Sequence, residues 1–428
     1  MQRSSRCRPA EHSISRRLML GSIAGGAAGV GLGGLLRPLV AEELKSKEKQ
    51  VLLMWLDGGL SQLESWDPKP NTRYGGPFRA ISTSVPGTQV CELLPRVAKQ
   101  MHHLAIVRSM KTEDPNHSSG VPKILRGHPQ DRGVTYPYMG SAVAKLMGST
   151  SSGLPPYVWV KPGSGGFIPQ HAGFLGAKYG ALAIGSGKAP ENLRRPGAID
   201  DGADAARHEL RERFNERYGR RRRPAASDAN AFVYDVAQTL MKHETLFDET
   251  TLDPKDVARY GNTELGRNTL LGRRLLEAGV RFVHVQSYGW DTHGDNFNAH
   301  ASRVPKVDAA LSSLIEDLAD RGMLDNVLVI VMGEFGRTPR VNGAVGRDHW
   351  PNAWSLAMAG SGIRPGVVVG STVEDGTDVA SEPYDIGAMF HTWYRALGID
   401  SQTVEFMNGT QPLPIAHAEM KVVKELLA

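Results

Sequence analysis

NVLVIVMGEFGRTPRVNGAVGRDHW, residues 326–350, decides the fold. Val327 to Met332 is an unbroken apolar run, short and rich in β-branched residues, the pattern of a strand buried on both faces. It stops at Gly333, and polar groups follow at once: Glu334, then Gly336, Arg337, Thr338 and Pro339, then, past a glycine-punctuated loop, Arg347, Asp348, His349 and Trp350. Side chains able to bind metal or move protons are thus placed past the carboxyl end of a central strand, where open parallel α/β sheets bind ligands.

The arrangement recurs twice. Val51 to Leu56 is an apolar run ending on Asp57, Gly58 and Gly59, and Val280 to Gln286 ends shortly before Trp290, Asp291, Thr292 and His293. If the runs are parallel neighbours, carboxylates and imidazoles converge on one rim. Close carboxylates resist shared ionisation, and a divalent cation removes that cost. Between the last two runs, Val307, Leu311, Leu314 and Leu318 form an apolar stripe fit to lie on a sheet, with Gly322 as a stop. Strand, helix and strand over 280–332 predict a right-handed crossover and the α/β class.

Outside this core, residues 1–41 are a leader. Ser15, Arg16, Arg17, Leu18, Met19 and Leu20 form a twin-arginine pattern ahead of a Gly/Ala/Leu-rich segment. This predicts passage through the twin-arginine export machinery to the periplasm or beyond, with a cleaved signal expected and an uncleaved leader serving as membrane anchor as the alternative. The leader holds six Arg and one Glu, so the remaining chain has 44 basic and 44 acidic residues. The net positive charge belongs to the leader, and a nucleic-acid partner loses its main support. Arg194, Arg195, Arg211, Arg213 and Arg220 to Arg223 then read as a solvated face. Cys7 departs with the leader, which leaves Cys91 without an internal disulfide partner.

Residues 42–428 are expected to form a single domain, with a loop-rich segment near 148–200 carrying one strand at Tyr157 to Val160, and a helical insertion or set of crossovers near 201–279. Leu104 to Arg108 predicts another strand, feeding the polar run Thr112 to Ser119, after which helix resumes at Val121. Ser355 to Ala359 and Val367 to Val369 predict further strands, and Asp385 to Leu397 a helix.

Together the twin-arginine leader, Asp57 with its Gly-Gly pair, the Trp290 to Gly294 motif, Gly333 to Pro339 and Asp348 to Trp350 resemble the exported bacterial family known as domain of unknown function 1501 (DUF1501). That family is grouped with the alkaline-phosphatase-like superfamily, which includes sulfatases, nucleotide pyrophosphatases and cofactor-independent phosphoglycerate mutases. The resemblance implies a three-layer α/β/α sandwich around a mostly parallel sheet. It also implies one or two divalent cations (zinc, manganese or calcium) and a small-molecule or polymer-borne phosphate or sulfate ester as substrate.

Position by position, the resemblance puts Asp57, Asp291, His293, Glu334 and His349 at metal ligands. His300 is the alternative to His293, which lies two residues past Asp291 where three intervening residues are usual. Glu334 and Phe335 replace an adjacent Asp-His pair. Thr112 stands near the place of a nucleophilic Thr, one residue early, with Ser118, Ser119 and Ser61 as other hydroxyls; Cys91 lies in no formylglycine motif. Read as residues alone, Glu334 is equally suited to pair with Arg337 or Arg340, Asp348 to orient His349, and Arg337 to neutralise an oxyanion. His117 is as well suited to a loop as to a ligand set, and Trp290 and Trp350 to packing. Two functions follow as expectations: a metal-dependent phosphate or sulfate ester hydrolase, or a degenerate relative serving as a cell-surface binding or assembly partner.

Overall fold

Three neighbouring strands form the centre of the structure, and they are the three runs singled out by sequence. The structure, a computed structural model, describes residues 48–428 apart from 131, 164–171, 186–192, 194 and 221–224. The expected leader with Cys7, and also Arg194 and Arg221 to Arg223, lie outside the described residues. Strand β1 (Gln50–Leu56) is entirely buried. It pairs in parallel with β5 (Phe282–Ser287) on one side and β6 (Val327–Met332) on the other. Burial on both faces, with apolar neighbours on both edges, is what continuous Val/Ile/Leu runs specify.

Five more strands complete an eight-stranded sheet: β2 (Leu104–Met110), β3 (Tyr157–Lys161), β4 (Leu182–Gly185), β7 (Trp354–Ala359) and β8 (Val367–Val369), in the order β8-β2-β7-β6-β1-β5-β3-β4. Strand β7 is antiparallel to both β6 and β2, so β2 runs in the same direction as β1. The sheet is mixed but mostly parallel: every strand but β7 runs in the direction of β1 and ends on the same rim. Two expectations shift. The crossover between β5 and β6 passes over β1 instead of joining neighbours, and the loop-rich segment contributes a second strand, β4, paired to β3.

Nine α-helices lie among the described residues: α1 (Pro95–Lys99), α2 (His117–Arg126), α3 (Met139–Met147), α4 (Asp201–Gly219), α5 (Ala225–Lys242), α6 (Pro254–Tyr260), α7 (Glu264–Glu277), α8 (Asn296–Asp320) and α9 (Ile386–Ala396). Alternation along β3 shows the layering. Val158 and Val160 join the core formed with α7 and α8, while Tyr157, one residue over, meets Gly140 of α3 on the opposite face. Side chains at i and i+2 must share a face, so helices cover both. The stripe Val307, Leu311, Leu314 and Leu318 is buried to 1% exposure or less, and each such side chain contributes roughly 1.5–3 kcal/mol. Past α8 the chain turns at Gly322 with a φ of +65°. The helical stretch 201–279 divides by burial: α4 buries no residue, while α7 lies on the sheet with Leu270, Leu275 and Leu276 in the core. Helix α2 begins four residues before Val121, at His117.

Candidate metal centre

Four strand ends deliver the site. Asp57 directly follows β1, Asp291 and His293 lie in the loop after β5, Glu334 is the second residue after β6, and His117 opens α2 beyond β2. His349 comes from a two-residue strand paired with Gly336–Arg337, just before β7 starts at the same rim. Gly58 makes the convergence feasible. Its φ is +115°, and a Cβ there would sit 2.4 Å from the Asp291 nitrogen. Without a side chain the backbones of the two loops touch, and the Gly58 N–H donates to Glu334 at 3.0 Å.

The three imidazoles share one arrangement. His117 Nδ1 is 2.7 Å from Glu334 Oε1, His293 Nδ1 is 2.7 Å from Asp348 Oδ1, and His349 Nδ1 is 2.5 Å from the Pro115 carbonyl oxygen. Each partner is an acceptor, so each Nδ1 carries a proton and donates it, which leaves the Nε2 of a neutral ring with a lone pair. All three Nε2 atoms then point at Asp291: His293 and His349 at 3.0 Å from Oδ1, and His117 at 3.3 Å from Oδ2. The Nε2 atoms of His293 and His349 are 3.0 Å apart, and His117 Nε2 is buried with no hydrogen-bond partner. Lone pairs facing lone pairs repel unless a proton or a cation lies between them. The ligand atoms of His117, Asp291 and His349 all fall within 4.8 Å of one another and could hold a metal ion. Imidazole nitrogens oriented through their far Nδ1 by a carboxylate or carbonyl are the usual construction of such a site.

The electrostatics agree. Burial alone would push Asp291 up, but the hydrogen bond and charge of Arg337 and the imidazoles beside it hold its carboxyl well below the ordinary range. The hydrogen bond to Glu334 raises His117, while burial lowers His349. Beside this group Asp57 is pushed up to about 6, first by burial and then by the charge of Glu334. Its oxygens accept from Trp55 Nε1 at 3.2 Å and Gln286 Nε2 at 3.1 Å. Asp57, its charge disfavoured by burial and by Glu334, stands next to three convergent imidazoles at a locus where positive charge is wanted.

Residues 48–427 match the family described as "Protein of unknown function (DUF1501)". The chain belongs to the DUF1501 family. A comparison with curated proteins finds no match. Among solved structures the chain is similar to a sulfatase from a Pseudoalteromonas species, at 14% identity over 92% of this chain and 74% of that one, with a TM-score of 0.40. It is also similar to the phosphonate monoester hydrolase of Agrobacterium radiobacter, at 12% identity over 89% and 77% of the two chains with a TM-score of 0.39. A third is a protein in the alkaline phosphatase superfamily from Vibrio parahaemolyticus, at 12%, 90% and 71% with a TM-score of 0.36.

Within this DUF1501 chain the expected residues separate. Asp291, His293 and His349 meet, and Glu334 and Asp57 stand alongside. Four expectations are corrected. Arg337 is fully buried, and its guanidinium donates to the carbonyls of Gly58, Gly59 and Arg347 and to Asp291 at 2.7 Å, so it braces the site from below instead of facing an oxyanion. Asp348 orients His293, not His349. Glu334 pairs with neither Arg337 nor Arg340; it holds His117 and the Gly58 N–H. His300 is buried, with Ser61 N–H on one nitrogen and the Asn296 carbonyl on the other, and takes no part.

Of the four hydroxyls, Thr112 and Ser118 do not join the convergence, and Ser119 donates to Asp114. Thr112 is buried, its hydroxyl accepting from Trp354, and Ser118 lies exposed on the first turn of α2. His117 is the residue sequence reasoning underweighted. Its signal was position alone: a histidine in a polar loop after a strand that runs with β1.

Proposed function

We propose that this DUF1501 protein is an exported metal-dependent hydrolase of phosphate or sulfate esters. The observation that carries the reading is the convergence of three Nδ1-anchored imidazoles on Asp291 with no donor between them. His117, Asp291 and His349 would hold the ion, with His293 beside them as a fourth ligand, and a donor set of nitrogens with one carboxylate suits zinc or manganese better than calcium, which prefers oxygen. When bound, a divalent cation supplies a Lewis acid that polarises an ester oxygen and offsets the charge developing in the displacement. Glu334, Asp348 and the Pro115 carbonyl fix the tautomers so that every Nε2 stays free to ligate. Asp57, raised to about 6, is a base of suitable strength to take a proton from an attacking water and return it to the leaving alcohol. Asp57 and Glu334 together offer the alternative of a second cation, in which Asp57 would be a ligand and not the base.

One observation favours the second reading, a degenerate binding or assembly partner at the cell surface. Phe335 stands where the superfamily pattern has a metal-binding histidine, and its ring lies 4.4 Å from that of His349. Metal analysis of protein purified without chelator, together with assays on aryl phosphate and aryl sulfate esters, separates the two. At least one equivalent with turnover that disappears in Asp291→Ala supports the hydrolase. One equivalent of metal or none, without turnover on either ester, supports the binding protein.

A further inference from the structure

A cavity of about 220 Å³ opens at the rim beside the metal centre. It shares a wall with that centre. Gln286 lines the cavity and donates to Asp57, and Trp290 lines it one residue before Asp291. The opposite wall is cationic, built by Arg303 and Lys306 of α8, and among the described residues neither is engaged in an ion pair. Gly289 lets the arginine approach. With a φ of +92° and no side chain, it leaves open the place where a Cβ would lie 3.1 Å from Arg303 Nε. Tyr288 also lines the cavity and has a buried hydroxyl with no hydrogen-bond partner. Glu264 is the one carboxylate on the wall.

Size and charge together restrict the occupant. A volume of about 220 Å³ lies below the roughly 300 Å³ at which pockets for drug-sized ligands begin, so the cavity takes a single small unit. Two cations call for an anion. Glu264 and the Tyr288 hydroxyl call for hydroxyl groups in addition, and the carboxylate of Glu264 opposes a compact inorganic anion of higher charge. We propose that this cavity is a second subsite, taking a carboxylate-bearing, hydroxylated unit about the size of one sugar ring next to the ester that reaches the metal centre. The inference rests on the hydrolase reading for its role, and it makes the substrate an acidic glycan-like molecule instead of a simple monoester.

The test is calorimetric titration of the full metal-loaded protein with glucuronate, glucose and inorganic sulfate. Glucuronate is expected to bind where glucose does not, and Arg303→Ala and Lys306→Ala are each expected to weaken it about tenfold, as loss of a charged hydrogen bond implies. Metal content should not change in either variant; Lys306 is exposed, so its truncation does not threaten the fold. Asp291→Ala should lose metal yet keep its affinity for glucuronate. Equal binding of glucose, unchanged affinity in both cation variants, or loss of glucuronate together with the metal overturns the subsite. Sulfate displacing glucuronate at equal concentration also overturns it, because the cavity would then be reading charge alone. Absence of ester turnover bears only on the hydrolase reading, since none of these titrations depends on it.

Discussion

Glu334→Gln tests the metal centre through a residue that does not itself face Asp291. The substitution keeps the volume and removes one charge. Glu334 is fully buried; its Oε1 accepts from His117 Nδ1 at 2.7 Å and from Gly58 N–H at 3.0 Å, and its Oε2 lies 3.2 Å from the same N–H. A glutamine has two ways to fit. With its oxygen in the Oε1 place it keeps both donors, but its NH2 then abuts the Gly58 N–H, and the imidazole donates to a neutral amide where it had a carboxylate. Turned over, it faces both donors with a donor, and His117 can respond only by moving its proton to Nε2, which closes the lone pair to a cation. The first arrangement costs less, yet it still strips His117 of the charge that makes its Nε2 a strong ligand.

Loss of such an outer partner lowers metal affinity by about 10- to 100-fold, or roughly 1.4–2.7 kcal/mol. Competition titration of zinc against a chromogenic chelator measures it. Because Glu334 acts through His117, the double variant with His117→Ala should bind metal no more weakly than His117→Ala alone. An affinity within twofold of wild type in Glu334→Gln, or simple additivity in the double variant, would refute the assignment of His117 to the ligand set.

Three more outcomes follow from the same contacts. In the metal-free protein Asp57 has a folded pKa of about 6 against an ordinary 3.8; an acid raised on folding stabilises at low pH and loses that contribution as pH rises through 6, so the unfolding free energy from urea titration should fall between about pH 4 and 6.5 by at most roughly 3 kcal/mol. The drop should shrink in Asp57→Asn and when metal is bound, and a metal-free curve identical to that of Asp57→Asn contradicts the cause. Glu64→Ala leaves Arg347 buried without its carboxylate, and the pair is fully buried at 2.9 Å; a loss of about 3–5 kcal/mol is expected, with a loss under 1 kcal/mol in denaturant titration as the failing result. Phe335→His places a fourth imidazole beside His117 and His349 and should raise metal content toward a second equivalent, measured by elemental analysis; unchanged stoichiometry counts against a second position at Asp57 and Glu334.

The fold was legible where the period of the chain allowed one answer. Val327 to Met332 and Val51 to Leu56 admit only strands buried on both faces, and their adjacency followed once three such runs each ended in acids. What the runs did not encode was order. Whether β5 lies next to β6 or on the far side of β1 depends on pairings between segments more than two hundred residues apart, and the apolar faces of these strands would pack in either arrangement. Strand β4 was hidden for a related reason: Leu182 to Gly185 is four residues long and only Ile184 is buried, too short a run to show alternation.

The site shows a sharper division between residue type and residue role. Asp291, His293 and His349 could be picked out because each sits near other polar groups in sequence, and clustering is visible in one dimension. His117 has no such cluster of its own, because its anchor, Glu334, is 217 positions away. Arg337 misled for the converse reason. Two residues past Glu334 it has the right charge to meet an oxyanion, yet Gly58 and Gly59, with no side chains to hold the loop off, bring their carbonyls onto its guanidinium and bury it. A cation locked beneath Asp291 keeps that carboxylate ionised, and three imidazoles locked from behind keep their lone pairs toward it. The charges on the rim are therefore set in part by Arg337 and Glu334, which are fully buried, and substitutions of such groups behind the rim should alter metal binding while the ligands themselves stay in place.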